Sequence, residues 1–464
     1  MDRVFFHETI RLDARSGNVN FFDFEFLIFF VVLLAIFWGL SSRPMAQQWV
    51  LLLGSALFLL SWNWTSLVVI LANAAAVYWY SRWLKKNQST LSLWIGIVAQ
   101  LLVIVYFRIF INDQTTAYKA NRFQLEVIIG LSFFALQNIG YLVQVWKRNI
   151  PPATRIQDYL LYNLYFPKVV VGPIVEYSDF EQSVKNSSAA IFSKNFYFSV
   201  FSIFLGLFKI TVISQFIETT LSSLEMAYPD RILPGLAAWG TAIFGFFNMY
   251  CDFSGLIDIG RGVSLLFGIR MPDNFDQPYF SKSFFDYWAR WHISLSNWIK
   301  KYVYFPLAVQ FRSPYLGVFF AFLIGGLWHG FFLEMIAWGL LCAAILLVAQ
   351  LGARFRFLEN SKWFLPVRVL FVFHIYAVLH LFTLFRRTHQ PFRYDFTVFS
   401  DDKILAIIND NILTVVMIVV MIVAETFSRK FKNDVSMIVL STILAILVGV
   451  YMKTGSYVFY YMRL

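Results

Sequence analysis

Ser283-Phe284-Phe285-Asp286-Tyr287-Trp288-Ala289-Arg290-Trp291-His292-Ile293-Ser294-Leu295-Ser296-Asn297-Trp298 is a polar, helix-compatible stretch set in a chain that is otherwise mostly hydrocarbon. About one membrane thickness further on, a second histidine sits in Gly325-Gly326-Leu327-Trp328-His329-Gly330. An ionisable group is expensive to keep at membrane depth, so by default it marks a functional site. His292 and His329 are therefore the first residues that need an explanation.

Outward from this pair, runs of about 20 apolar residues recur along all 464 residues, each long enough to cross a bilayer. Hydrophobic residues make up 59% and charged residues 14%, against about a quarter charged in a soluble domain. Mean hydropathy is +0.63. The expected fold is an all-α polytopic membrane protein, with about 11–12 spans plus re-entrant or interfacial helices. Spans are expected at about 24–40, 48–62, 65–83, 91–111, 123–146 and 195–217. Others follow at about 232–250, 315–330, 333–350, 367–387, 412–427 and 435–452. No polar stretch is long enough to build a soluble domain, so 1–464 reads as one integral membrane domain.

Two regions, about 158–176 and 252–306, are apolar but broken by Gly172-Pro173, Pro272, Pro278 and Pro306. Irregular backbone survives at membrane depth only when it is buried in protein or lines a wet cavity. Basic clusters at Arg82-Lys85-Lys86, Lys147-Arg148 and Arg429-Lys430-Lys432 read as cytoplasmic and place the N-terminus outside. The loop with Arg108, Lys119 and Arg122 runs against that orientation. The polar residues 1–20 lack the order of a cleavable signal peptide, so the first span is expected to stay in place.

The net charge of +11 fits cytoplasmic loops and contacts with anionic membrane lipids. Its scattered basic residues carry no nucleic-acid-binding motif. Cys251 and Cys342 lie in apolar runs without CxxC spacing and read as small buried hydrophobes. The chain has no GxxxxGK[ST], no GxSxG and no HExxH. Phosphate cradling on a P-loop, a hydrolase elbow and a zinc site are thereby disfavoured. No metal and no permanently bound cofactor is expected.

Of the six histidines, His7 and His389 sit in polar flanks. His374 and His380 lie six residues apart on one apolar span and face different ways on a helix. Each is expected to be a structural histidine bonded to neighbouring backbone. Around His292, a continuous helix would put Trp288, His292, Leu295 and Ile299 on one face. Arg290, Ser294, Asn297 and Lys301 would share another. That pattern reads first as an interfacial helix with its basic side toward headgroups. Glycines around His329 let backbones approach closely. There the histidine is either a packed, hydrogen-bonded side chain or a general base, since an imidazole titrates near ~6.5.

The runs Asp286–Trp298, Tyr302-Val303-Tyr304-Phe305-Pro306 and Gly326-Leu327-Trp328-His329-Gly330 together resemble the membrane-bound O-acyltransferases. The likeness is to their bacterial polysaccharide-modifying branch, whose members serve alginate, peptidoglycan and teichoic acid. Gly130–Phe134, Tyr141–Trp146, Phe166–Tyr177, Tyr250–Gly255 and Phe267–Phe275 agree in order, within a motif-bearing core of about 125–385. Lys300-Lys301-Tyr302 stands where the branch commonly has an acidic residue, and Asn297 where Thr or Phe is more usual.

The resemblance implies a ring of helices around a thinned centre with a tunnel, in the bacterial cytoplasmic (inner) membrane. It implies His329 as catalytic base and His292 as the second catalytic histidine, orienting or polarising the donor carbonyl. Arg290, Lys300 and Lys301 would meet anionic donor groups. Trp288, Trp298, Ser294 and Asn297 complete the expected donor-binding set. The donor would be acetyl-CoA or another acyl thioester. The acceptor would be an extracytoplasmic glycan, often reached through an SGNH-type acetyltransferase or esterase partner. D-alanyl transfer from a carrier protein to teichoic acid, and non-catalytic acyl or lipid transport, are the alternatives.

Overall fold

In the computed structural model the described residues are 24–62, 64–112, 130–169, 172–187, 195–230, 232–330, 333–352, 363–388, 393–395, 402–430 and 434–452. The polar stretch 1–20, the start of the expected span at 123–129, His7 and His389 lie outside them. The chain is all-α and polytopic. Among the described residues, five helices are long and apolar enough to cross a membrane, and five shorter apolar helices accompany them. Two compact units divide the chain: 1–200 with 260–272, and 201–259 with 273–464.

The first unit opens with helices α1 (Phe24–Gly39), α2 (Pro44–Trp62), α3 (Trp64–Lys86), α4 (Thr90–Asn112) and α5 (Leu131–Trp146). Shorter helices α6 (Ile156–Leu164), α7 (Phe166–Val169) and α8 (Tyr177–Lys185) follow. Leu53, Leu57, Trp79 and Leu91 stay exposed. For helices that contact lipid, apolar side chains on the outside need no other cover. The inside is aromatic, with the rings of Tyr141 and Tyr159 at 4.6 Å and Tyr159 and Tyr162 at 5.8 Å. Buried polar groups here bond one another, as most such groups do away from water. Tyr159 OH donates to Asn138 Oδ1 at 2.7 Å, and Asn138 Nδ2 to Asn73 Oδ1 at 2.8 Å. Gly130 enters α5 at φ 68°, where a side chain would run into the Val169 carbonyl. That is a position for glycine alone.

Most of the second unit is built from α9 (Asn195–Phe208), α10 (Ser214–Ala227), α11 (Gly235–Leu266), α12 (Phe284–Trp288), α13 (Ile293–Ile299) and α14 (Phe305–Gln310). The remainder comprises α15 (Pro314–His329), α16 (Leu333–Gly352), α17 (Leu365–Thr388), α18 (Asp402–Asp410), α19 (Ile412–Lys430) and α20 (Asp434–Met452). The first residues of α9 and the last of α11 belong to the other unit. A small parallel pair joins β1 (Ile232–Pro234) to β2 (Arg393–Asp395).

One expectation is corrected here. The span expected to end near 250 continues as a helix to Leu266, although Asp252 and Asp258 interrupt its apolar run. The helix tolerates them because each has a partner. Lys209, in a π-helical turn at Lys209–Ile213, meets Asp258 Oδ2 at 2.6 Å and Glu425 Oε1 at 2.5 Å. Ser214 donates to Asp252. Tyr250 and Tyr279 both donate to Glu425. Buried charges persist only when paired and hydrogen-bonded in this way.

Candidate active site

The segment around His292 is not one helix, and the sequence-based helical faces do not form. Ser283 caps α12, accepting from Asp286 N at 3.1 Å, while the Asp286 carboxylate takes Lys282 N at 2.8 Å. This reciprocal cap starts the helix as the sequence allows. The helix then stops after Trp288, and His292 adopts a left-handed conformation at φ 44° as the N-cap of α13. A non-glycine residue there is strained and needs surrounding structure to hold it.

The loop at 274–276 supplies that hold. Ile293 N donates to Asn274 O at 2.9 Å, and Asp276 N to Arg290 O at 2.9 Å. Past α13 the chain widens into a π-helical turn at Lys300–Tyr304. Pro306 follows it. Proline has no N–H for the residue four back and crowds that carbonyl, which a wider turn relieves.

His292 is 3% exposed. Its Nδ1 lies 3.2 Å from Asn274 Oδ1, the same oxygen that accepts from Ser294 N at 3.0 Å and Ser294 Oγ at 2.8 Å. Phe253 meets its ring edge-on at 4.7 Å, and the Trp328 ring lies 6.3 Å away. A charged imidazole would lose its hydration in so buried a place.

His329 ends α15 and is half-buried. Trp328 and Trp338 stand against it at 4.7 and 5.1 Å. The close helix approach that the glycines suggested is there, at one of them. A side chain on Gly326 would reach 2.5 Å from the Met335 carbonyl, and its partner across the crossing is Gly339. Gly325 is under no such pressure. The crossing of α15 on α16 fixes where His329 leaves the helix, beside Trp338 of α16.

The remaining expected site residues divide. Trp288 packs on Phe322 at 5.0 Å and Trp338 at 6.0 Å, so one tryptophan links it to His329. Ser294 is held by Asn274, as above. Trp298 packs on Tyr302 at 5.2 Å. Lys300, Lys301 and Asn297 are exposed, with the two ammonium groups lying near the Phe305 and Tyr302 rings. Arg290 is engaged within the protein. It bonds Asp286 at 3.0 Å and the Asp276 carbonyl at 3.0 Å, and Arg429 joins the same aspartate.

Three contributors escaped the sequence reading. Asn274 stood inside a quoted motif, but nothing in sequence placed it against His292. Trp338 gave no signal beyond its residue type. His380 was expected on backbone, yet its Nε2 lies 3.1 Å from Tyr287 OH, and its ring lies 4.9 Å from Trp291. His374 does follow the expectation, with Nδ1 2.6 Å from the Leu370 carbonyl.

The second unit of this polytopic helical chain thus holds one buried and one half-buried imidazole close to tryptophans. The chain belongs to the membrane-bound O-acyltransferase family, whose model matches residues 58–386. It is an O-acyltransferase and an integral membrane protein. Among its relatives is the peptidoglycan O-acetyltransferase of Helicobacter pylori, 29% identical over 72% of this chain and 70% of that one. The probable alginate O-acetylase of Pseudomonas aeruginosa is 28% identical over 72% of this chain and 68% of its own. The teichoic acid D-alanyltransferase of Bacillus subtilis is 26% identical over 53% of this chain and 66% of its own.

Proposed function

We propose that this enzyme moves an acetyl group from a cytoplasmic thioester, acetyl-CoA, across the bacterial cytoplasmic membrane for O-acetylation of an extracytoplasmic polysaccharide. Exopolysaccharide and peptidoglycan are the candidate polymers. The observation that supports the reading is the contrast between the two histidines: His329 half-buried beside tryptophans, His292 buried and bonded to Asn274. The relatives named for O-acetylation supply the acyl group.

In this reading an acceptor hydroxyl attacks the thioester carbonyl. The C–O bond forms, the C–S bond breaks, and His329 takes the hydroxyl proton and returns it to the departing thiolate. The acceptor is either the glycan itself or an SGNH-type partner that passes the acetyl group on. Trp288, Trp328 and Trp338 keep water from the thioester. Exposed Lys300 and Lys301 meet the donor's phosphates, with Asn297, Trp298 and Ser294 on the same segment. Arg290 would join them only by giving up Asp276 or Asp286.

D-alanyl transfer is the second reading, favoured by the relatives named as teichoic acid D-alanyltransferases. The two differ in donor, so protein in lipid vesicles is offered labelled acetyl-CoA or a labelled D-alanyl carrier protein. Transfer of label from acetyl-CoA to a hydroxyl acceptor supports acetylation. Transfer from the carrier alone overturns it. A purely transporting role finds no support in the family match.

A further inference from the structure

We infer that Asn274 is the positioning residue that locks His292 in its Nδ1–H form, so that Nε2 meets the substrate as a hydrogen-bond acceptor. The catalytic consequence rests on the acyltransferase reading. The lock itself does not.

The argument begins with the amide. A carboxamide presents an oxygen on one side and an NH2 on the other, and the Ser294 backbone N–H can only donate. That N–H points at Asn274 at 3.0 Å, and the Ser294 hydroxyl points at the same atom at 2.8 Å. The atom facing them is therefore the oxygen, because the reversed amide would set N–H against N–H. His292 Nδ1 lies 3.2 Å from that oxygen and must carry its hydrogen. A neutral imidazole has one N–H, so the proton on Nδ1 leaves Nε2 with its lone pair.

The surroundings hold this arrangement from several sides. Asn274 is 1% exposed, and its own carbonyl takes Ile293 N, so one residue fixes both the backbone next to His292 and the ring. Phe253 at 4.7 Å and Phe275 at 6.5 Å restrict ring rotation. Asn274 Nδ2 finds no hydrogen-bond partner among the described residues. The amide is thus held by its oxygen alone.

The consequence concerns what the site accepts. A group placed at His292 Nε2 has to donate: the hydroxyl of an acceptor, or an amide N–H of a pantetheine arm. A carbonyl oxygen would set lone pair against lone pair. His292 therefore orients a donor group, and polarising the thioester carbonyl falls to other atoms.

The test uses full-length protein in lipid bilayers, labelled with 15N-histidine, with the His292 signals assigned by difference from His292→Ala. The expected spectrum has Nδ1 protonated and Nε2 unprotonated. Asn274→Ala should lose this single form and lower kcat about 10- to 100-fold, as removal of a histidine's orienting partner does elsewhere. Asn274→Asp keeps an oxygen in place and should retain the Nδ1–H form and recover most of the rate. A wild-type His292 protonated on Nε2 overturns the proposal, as does an Asn274→Ala protein with unchanged spectrum and kcat. Should Asn274→Ala fail to fold, the wild-type spectrum still decides. A wild type without acyl transfer would count against the functional reading while leaving the tautomer decided by the spectrum.

Discussion

His329 and His292 share a residue type and differ in what the fold asks of them. A general base contributes typically 10²–10⁴-fold, so His329→Ala should lower acyl transfer by about that factor while its thermal stability stays close to wild type. Both histidines were legible in sequence because an ionisable group in hydrocarbon stands out. Asn274 was not, since its role depends on a loop returning to a residue 18 positions further along the chain.

The length of apolar runs located the elements well where the chain is uniformly apolar, as in α2, α16 and α19. Helix periodicity failed where tertiary bonds override it. The faces drawn through Trp288, His292 and Leu295 assume a continuous helix, and the left-handed His292 rotates the second half away from the first. The extension of α11 past Asp252 was hidden for the opposite reason. Its charged side chains look like breakers until Lys209 and Ser214 are seen to meet them. The glycine crossing of α15 on α16 gives a direct test at this scale. In Gly326→Leu the side chain must displace the Met335 backbone. Overpacking of that kind costs about 1–3 kcal/mol. The variant should melt lower and lose transfer, because His329 sits three residues further on. A variant as stable and active as wild type would mean the crossing does not set the histidine.

Across the molecule, composition alone gave the class, because 59% hydrophobic residues in recurring spans leave few alternatives. It gave nothing of the polar cluster that ties α11 to α19 in the second unit. Glu425 of that cluster lies beyond the stretch matched by the family model. Lys209 is 2% exposed between two carboxylates. Removing one partner of a buried ion pair costs about 3–5 kcal/mol, because the other charge stays behind. Lys209→Met should therefore unfold at clearly lower temperature, and changing Asp258 and Glu425 to their amides in the same chain should restore part of the loss. The activity of the whole protein is tested most directly by transfer from labelled acetyl-CoA in sealed vesicles holding either wild type or His329→Ala. The account predicts label on a hydroxyl acceptor with wild type and a loss of about 10²–10⁴-fold in the variant. A stably folded His329→Ala protein that transfers acetyl at the wild-type rate would contradict it.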